Sequence, residues 1–136
     1  MLYLKKIGKI KHIGVSNFTL TQLLTALYYA QKDIFSIQNE FNLMDRTIED
    51  KILPYCQTND IKVFAYSALG VGRIVDTKAK FDYLTKLGKK YGKTIQQVIL
   101  NFITSFFPTN SSTMHCIGLF ICAKRQPQYL IFPSIV

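Results

Sequence analysis

The chain has 136 residues, room for one ordinary domain with a single core. It is 49% hydrophobic and 13% aromatic, with 18% charged residues, which excludes a disordered tail. A net charge of +9 raises nucleic acid as a partner. The placement argues against it, because Lys5, Lys6, Lys9 and Lys11, then Lys78, Lys80, Lys86, Lys89, Lys90 and Lys93, sit among apolar residues at helical spacing, as on a solvated helix face.

In chain order, residues 1–11 read as the last turn of a helix closed at Gly8 and leading into a strand. Residues 10–18 are a short β-rich run ending in Ser16-Asn17. Thr19 or Thr21 can cap a helix over 20–31, where Leu23, Leu24, Leu27 and Tyr28 recur at helical spacing. Residues 34–42 form the second strand, followed by a polar loop at Asp45-Arg46. Thr47, with Asp50 three residues on, predicts a capped helix to Cys56, with Pro54 expected to bend or shorten it. Residues 61–69 are the third strand, leaving through Gly70-Val71-Gly72. Two amphipathic helices, 81–91 and 94–105, join at Gly92-Lys93.

The order β-α-β-α-β-α with short connections argues for parallel strands covered by helices. It does not separate a barrel from an open doubly wound sheet. After Ser105 the character changes. Residues 106–136 hold no Asp or Glu, three of the four prolines and two of the three cysteines, with no clean period. The domain reading is therefore 1–105, then a divergent tail at 106–136.

Three cysteines without a secretory leader fit a reducing cytoplasm. His115-Cys116 with Cys122 lacks the paired spacing of structural zinc sites, so no metal is expected. The apolar run 117–123 is too short to span a bilayer. Tyr28 and Lys32 have the spacing of a short-chain dehydrogenase pair but lie on an amphipathic helix without a Gly-rich dinucleotide loop.

The chemistry gathers at the strand ends: Ser16-Asn17, Gln38 and Tyr66-Ser67. In parallel α/β proteins those ends line one ligand-binding face. Amide and hydroxyl groups there suit a neutral polar ring such as a carboxamide, and Tyr66 offers a flat surface. The turn from Ser67 to Gly72 is small enough for backbone amides to approach a phosphate. The plainer alternatives are that Ser16-Asn17 cap the next helix, and that Gln38 and Tyr66 are ordinary buried polar residues.

Several of these stretches together resemble the aldo-keto reductase family. Gly8-Lys9-Ile10-Lys11-His12-Ile13-Gly14-Val15-Ser16-Asn17-Phe18 is similar to the family's fifth strand. Gln38-Asn39-Glu40-Phe41-Asn42-Leu43 with Asp45-Arg46 is similar to the sixth strand and its loop. Leu53-Pro54-Tyr55-Cys56 and Val63-Phe64-Ala65-Tyr66-Ser67-Ala68-Leu69-Gly70 resemble the sixth helix and seventh strand. Tyr91-Gly92-Lys93-Thr94 with Gln97-Val98 resembles the seventh-helix region. The resemblance covers residues 1–105 in order. It implies part of a (β/α)8 TIM barrel that binds an extended nicotinamide cofactor, NADP or NAD, and reduces small carbonyl compounds. By the same resemblance Ser16, Asn17 and Gln38 hold the nicotinamide carboxamide and Tyr66 stacks on its ring. Ser67, Leu69, Gly70 and Gly72 run along the pyrophosphate. Ala68 stands where the family usually has Pro.

The family's catalytic Tyr, Lys, Asp and His belong to strands two to four, so no catalytic residue is expected in this chain, which alone is expected to be inactive. A full barrel takes about 250 residues. Three strands without closure predict two open edges, an uncovered barrel-interior face, and marginal stability or self-association of the isolated chain. Ile131-Phe132-Pro133-Ser134 is a faint echo of an eighth strand, and a shifted reading frame would explain the tail. Two readings follow: a reductase segment that works only with its missing half, or a non-enzymatic remnant that at most binds a nucleotide or another protein.

Overall fold

The computed structural model describes residues 1–70 and 82–107, with a further strand at Gln128–Phe132. A helical turn, α1 (Leu2–Lys6), stops at Gly8, whose φ of 73° turns the chain into β1 (His12–Ser16). Helix α2 (Leu20–Tyr29) starts at Thr19, where Thr19 and Gln22 satisfy each other's backbone in a capping box. Strand β2 (Ser36–Glu40) follows, then α3 (Ile52–Thr58) and β3 (Lys62–Tyr66). Helices α4 (Asp82–Tyr91) and α5 (Ile95–Ser105) come next, α5 opening on a second box from Thr94 and Gln97. Strand β4 (Gln128–Phe132) is last.

Strands β1, β2 and β3 pair in parallel, in the order β3-β2-β1-β4. The register sets Ser16 beside Gln38 and Gln38 beside Phe64, with Glu40 beside Tyr66. Alternation along the strands sends Ile13, Val15, Ile37, Val63 and Ala65 to the helix side. There they form one buried core with Leu23 and Leu27 of α2, Leu53 and Cys56 of α3, and Ile99 and Ile103 of α5. Phe41, fully buried just after β2, meets Phe106 and Phe107 edge to face at 5.3 and 6.1 Å. Arg46 grips Glu49 through two hydrogen bonds of 2.5 and 2.6 Å and lies 5.6 Å from the ring centres of Phe102 and Phe106. The β2–α3 loop is thereby tied to the last helix.

Three expectations need correction. Helix α3 begins at Ile52, not Thr47, and runs past Cys56 to Thr58. The Thr47 hydroxyl donates to Asp45 instead of capping a helix, and residues 47–51 form turns. Pro54 sits at the third helical position, where a backbone N–H would have no helical acceptor, so it suits the first turn rather than breaking a longer helix. Secondly, Ile131 and Phe132 belong to a strand that pairs antiparallel with β1, on the opposite side of the sheet from β3. A closing barrel strand would lie parallel beside β3, so this is no eighth strand. One edge is accordingly covered, while β3 has no outer strand neighbour among the described residues. Thirdly, the face turned away from the helices is only partly open, because Ser16, Ser36, Lys62 and Tyr66 on it are buried while Gln38, Glu40 and Phe64 are half-buried.

The corner between α4 and α5 depends on the absence of a side chain. Gly88 is buried, its carbonyl accepts from the Lys93 N–H at 2.8 Å, and an added Cβ would lie 2.6 Å from the Lys93 carbonyl oxygen. Gly88→Ala is expected to lower stability by about 1–3 kcal/mol, because a backbone group must shift. Urea unfolding measures this, and an unchanged midpoint would show that the corner has slack.

Candidate functional site

The C-terminal ends of β1, β2 and β3 come together through the backbone carbonyl of Gln38. It accepts from the Ser16 hydroxyl at 3.0 Å and from the Asn17 N–H at 2.8 Å. The second bond continues the β1–β2 ladder one residue past the strand. Asn17 then turns through a left-handed φ of 58°, a conformation Asn tolerates better than most residues. That turn presents its side-chain oxygen to the Tyr66 hydroxyl, which donates at 2.8 Å from the end of β3. Ser16, Asn17, Gln38 and Tyr66 thus form one group across three strands. The Gln38 side chain is half-buried, and its amide makes no hydrogen bond among the described residues. Two donors and an acceptor are left beside Ser16 and Asn17.

Tyr66 is 4% exposed, so its ring face is covered as well as its hydroxyl satisfied. Beyond it, Ser67 adopts a φ of 52° and its carbonyl accepts from the Gly70 N–H at 2.7 Å, closing a tight turn around buried Ala68 and half-buried Leu69. Gly70's amide is thereby committed to the turn. Gly72, the remaining expected site residue, lies outside the described residues, as do His115, Cys116 and Cys122. The alternative that Ser16-Asn17 cap α2 is excluded, since Thr19 does so.

A depression of about 380 Å³ opens beside this group, lined by Asn17, Asn39, Glu40, Asp45, Lys51 and Tyr66 among others. Asn39 was not singled out by sequence reasoning. It is buried on the helix side of β2, its amide donates to the Phe18 carbonyl at 3.1 Å, and its side-chain oxygen has no partner among the described residues. Its place one residue after Gln38, where alternation calls for an apolar side chain, was the available signal. Asn42, also buried, organises the following loop by accepting from the backbone of Met44 and Asp45. A larger groove, about 710 Å³, lies away from the strand ends, against α1 and α2.

Residues 1–117 match the model of the aldo/keto reductase family. The chain belongs to this family. Among its relatives is an NADPH-dependent alpha-keto amide reductase of Saccharomyces cerevisiae, 37% identical over 108 residues, a match covering 76% of this chain and 35% of that protein. A thermostable aldo-keto reductase solved with the inhibitor epalrestat superposes with a TM-score of 0.68 at 33% identity, over 76% of this chain and 37% of the other. An aldo/keto reductase from Klebsiella pneumoniae, solved with NADP and acetate, gives 0.66 at 29% identity, over 76% and 37%. The chain therefore spans about a third of the length of the curated relatives and solved structures it matches. Its three parallel strands and covering helices are part of the family's (β/α)8 barrel.

Within this aldo/keto reductase segment no group of three or more metal-ligating side chains occurs among the described residues, and no helix described is long and apolar enough to cross a membrane. The one described cysteine, Cys56, is buried in the core, and burial pushes its thiol up to about 12. Thiolate is the reactive form, so in the folded chain Cys56 is expected to resist iodoacetamide at pH 8 and to react once urea unfolds it. Mass spectrometry of the Cys56 peptide checks this, and rapid labelling without denaturant would contradict it. Tyr66→Phe removes the bond to Asn17 and is expected to cost about 1 kcal/mol in urea unfolding. A neutral result would mean that Asn17 holds its turn unaided.

Proposed function

We propose that this chain forms the nicotinamide-binding side of an NAD(P)H-dependent carbonyl reductase barrel, and that it does not itself carry the proton-donating residues. The observation that carries the reading is the Gln38 amide, without a hydrogen-bond partner among the described residues and set beside Ser16 and Asn17 at the ends of adjacent parallel strands. A carboxamide has one acceptor and two donors, and a half-buried amide without partners favours a ligand of matching polarity. The residues present therefore fit a nicotinamide head group. In this reading Ser16, Asn17 and Gln38 hold the carboxamide, and Tyr66 supports the ring. Ser67, Leu69, Gly70 and Gly72 follow the pyrophosphate.

When bound, the cofactor supplies hydride to the carbonyl carbon. The chain's own contribution is to fix which face of the ring points at the substrate. Small displacements at a reacting centre cost large factors in rate, so orientation by Asn17, Gln38 and Tyr66 is a substantive role. In this reading Tyr66 is not the proton donor, because its hydroxyl is already engaged with Asn17. The donor must come from residues outside this set, which we assign to the part of the barrel that precedes β1.

The second reading is a remnant without activity. The covered ring of Tyr66 and the antiparallel neighbour of β1 favour it. Cofactor fluorescence separates the two. NADPH is expected to bind the chain saturably, and Gln38→Leu is expected to weaken binding by about tenfold, the worth of one good hydrogen bond. Carbonyl-dependent oxidation of NADPH is expected to be absent with the chain alone and to appear when a family N-terminal half is added. No saturable binding, or equal binding by Gln38→Leu, would remove the cofactor reading, and turnover by the chain alone would remove the assignment of the proton donor elsewhere.

A further inference from the structure

The neighbour of β1 is the chain's own tail. Five consecutive residues of β4 pair antiparallel with all five of β1, from His12 opposite Phe132 to Ser16 opposite Gln128. In a closed barrel of parallel strands each strand has two parallel neighbours. Strand β1 has one, β2, and its other edge is filled by a strand of opposite direction. The backbone N–H and C=O groups of one edge can serve only one neighbour, so β4 and a parallel barrel strand exclude each other there.

We propose that the segment Gln128–Phe132 is an intramolecular edge cap, which holds the barrel-completing edge of β1 and must leave before a parallel strand from another polypeptide can dock. The partner it excludes is a strand running parallel to β1 from a second copy of this chain, whose β3 has no outer strand neighbour among the described residues. Capping an edge with the protein's own strand is a general way to prevent edge-to-edge association. The inference rests on strand pairing alone and stands or falls independently of cofactor binding.

Hydrogen exchange of the full chain, compared with the full chain carrying both Tyr129→Pro and Leu130→Pro, tests it. Adjacent prolines remove the ladder donor whichever residue faces β1. The β1 peptide is expected to exchange at least tenfold faster in the variant while the β3 peptide is unchanged, and sedimentation is expected to show a new dimer. Equal exchange over β1 in the two proteins would overturn the proposal. If protection is lost over β3 as well, the decision passes to His12→Cys with Phe132→Cys, in a chain whose Cys116 and Cys122 are replaced by Ser. Cys56 is buried and does not compete. A disulfide forming within the monomer under mild oxidation supports the cap, and its failure to form overturns it.

Discussion

Everything at the strand ends depends on one backbone oxygen. The Gln38 carbonyl takes both the Ser16 hydroxyl and the Asn17 N–H, and so decides where β1 stops and how Asn17 turns. With Asn17 fixed in its left-handed conformation, the Tyr66 hydroxyl has an acceptor and the third strand is registered against the first through a side chain. A shift of one residue in the β1–β2 register would send Ser16 to the helix side and Val15 into the polar face, since side chains alternate with period two. The core on one face and the polar group on the other are two consequences of the same pairing.

The strands and most helix starts were legible because they are written in local chemistry. Period-two alternation marks β1 to β3, and Thr19 and Thr94, each with Gln three residues later, mark the starts of α2 and α5. The convergence of Ser16, Asn17, Gln38 and Tyr66 followed from parallel topology, which needs only the element order. The start of α3 was misread because Thr47 and Asp50 imitate a capping box, whereas Asp45 takes the Thr47 hydroxyl. Pro54 looked like a defect, yet it marks a beginning.

What could not be read shares a different property. Gly88 is required by a carbonyl five residues ahead across a corner, which no helical pattern announces. The burial of Lys62 beside its bond to Asp60 at 2.7 Å depends on what covers the sheet. Pairing of β4 with β1 joins segments at opposite ends of the chain, and the tail has no period that would show a strand. Asn39 carried a readable signal, a polar residue at an apolar position, but its unsatisfied oxygen appears only once Phe18 is seen to take its amide.

The distance along the chain between β1 and β4 bears on how the protein comes into being. Their contact closes a loop of roughly a hundred residues or more, and contacts of such long sequence separation form late, after the entropy of closure has been met by nearer ones. During synthesis β1, β2 and β3 leave the ribosome well before β4 exists. For those seconds the flank of the first strand is bare, and any parallel strand already present in the cell has the first chance to settle on it.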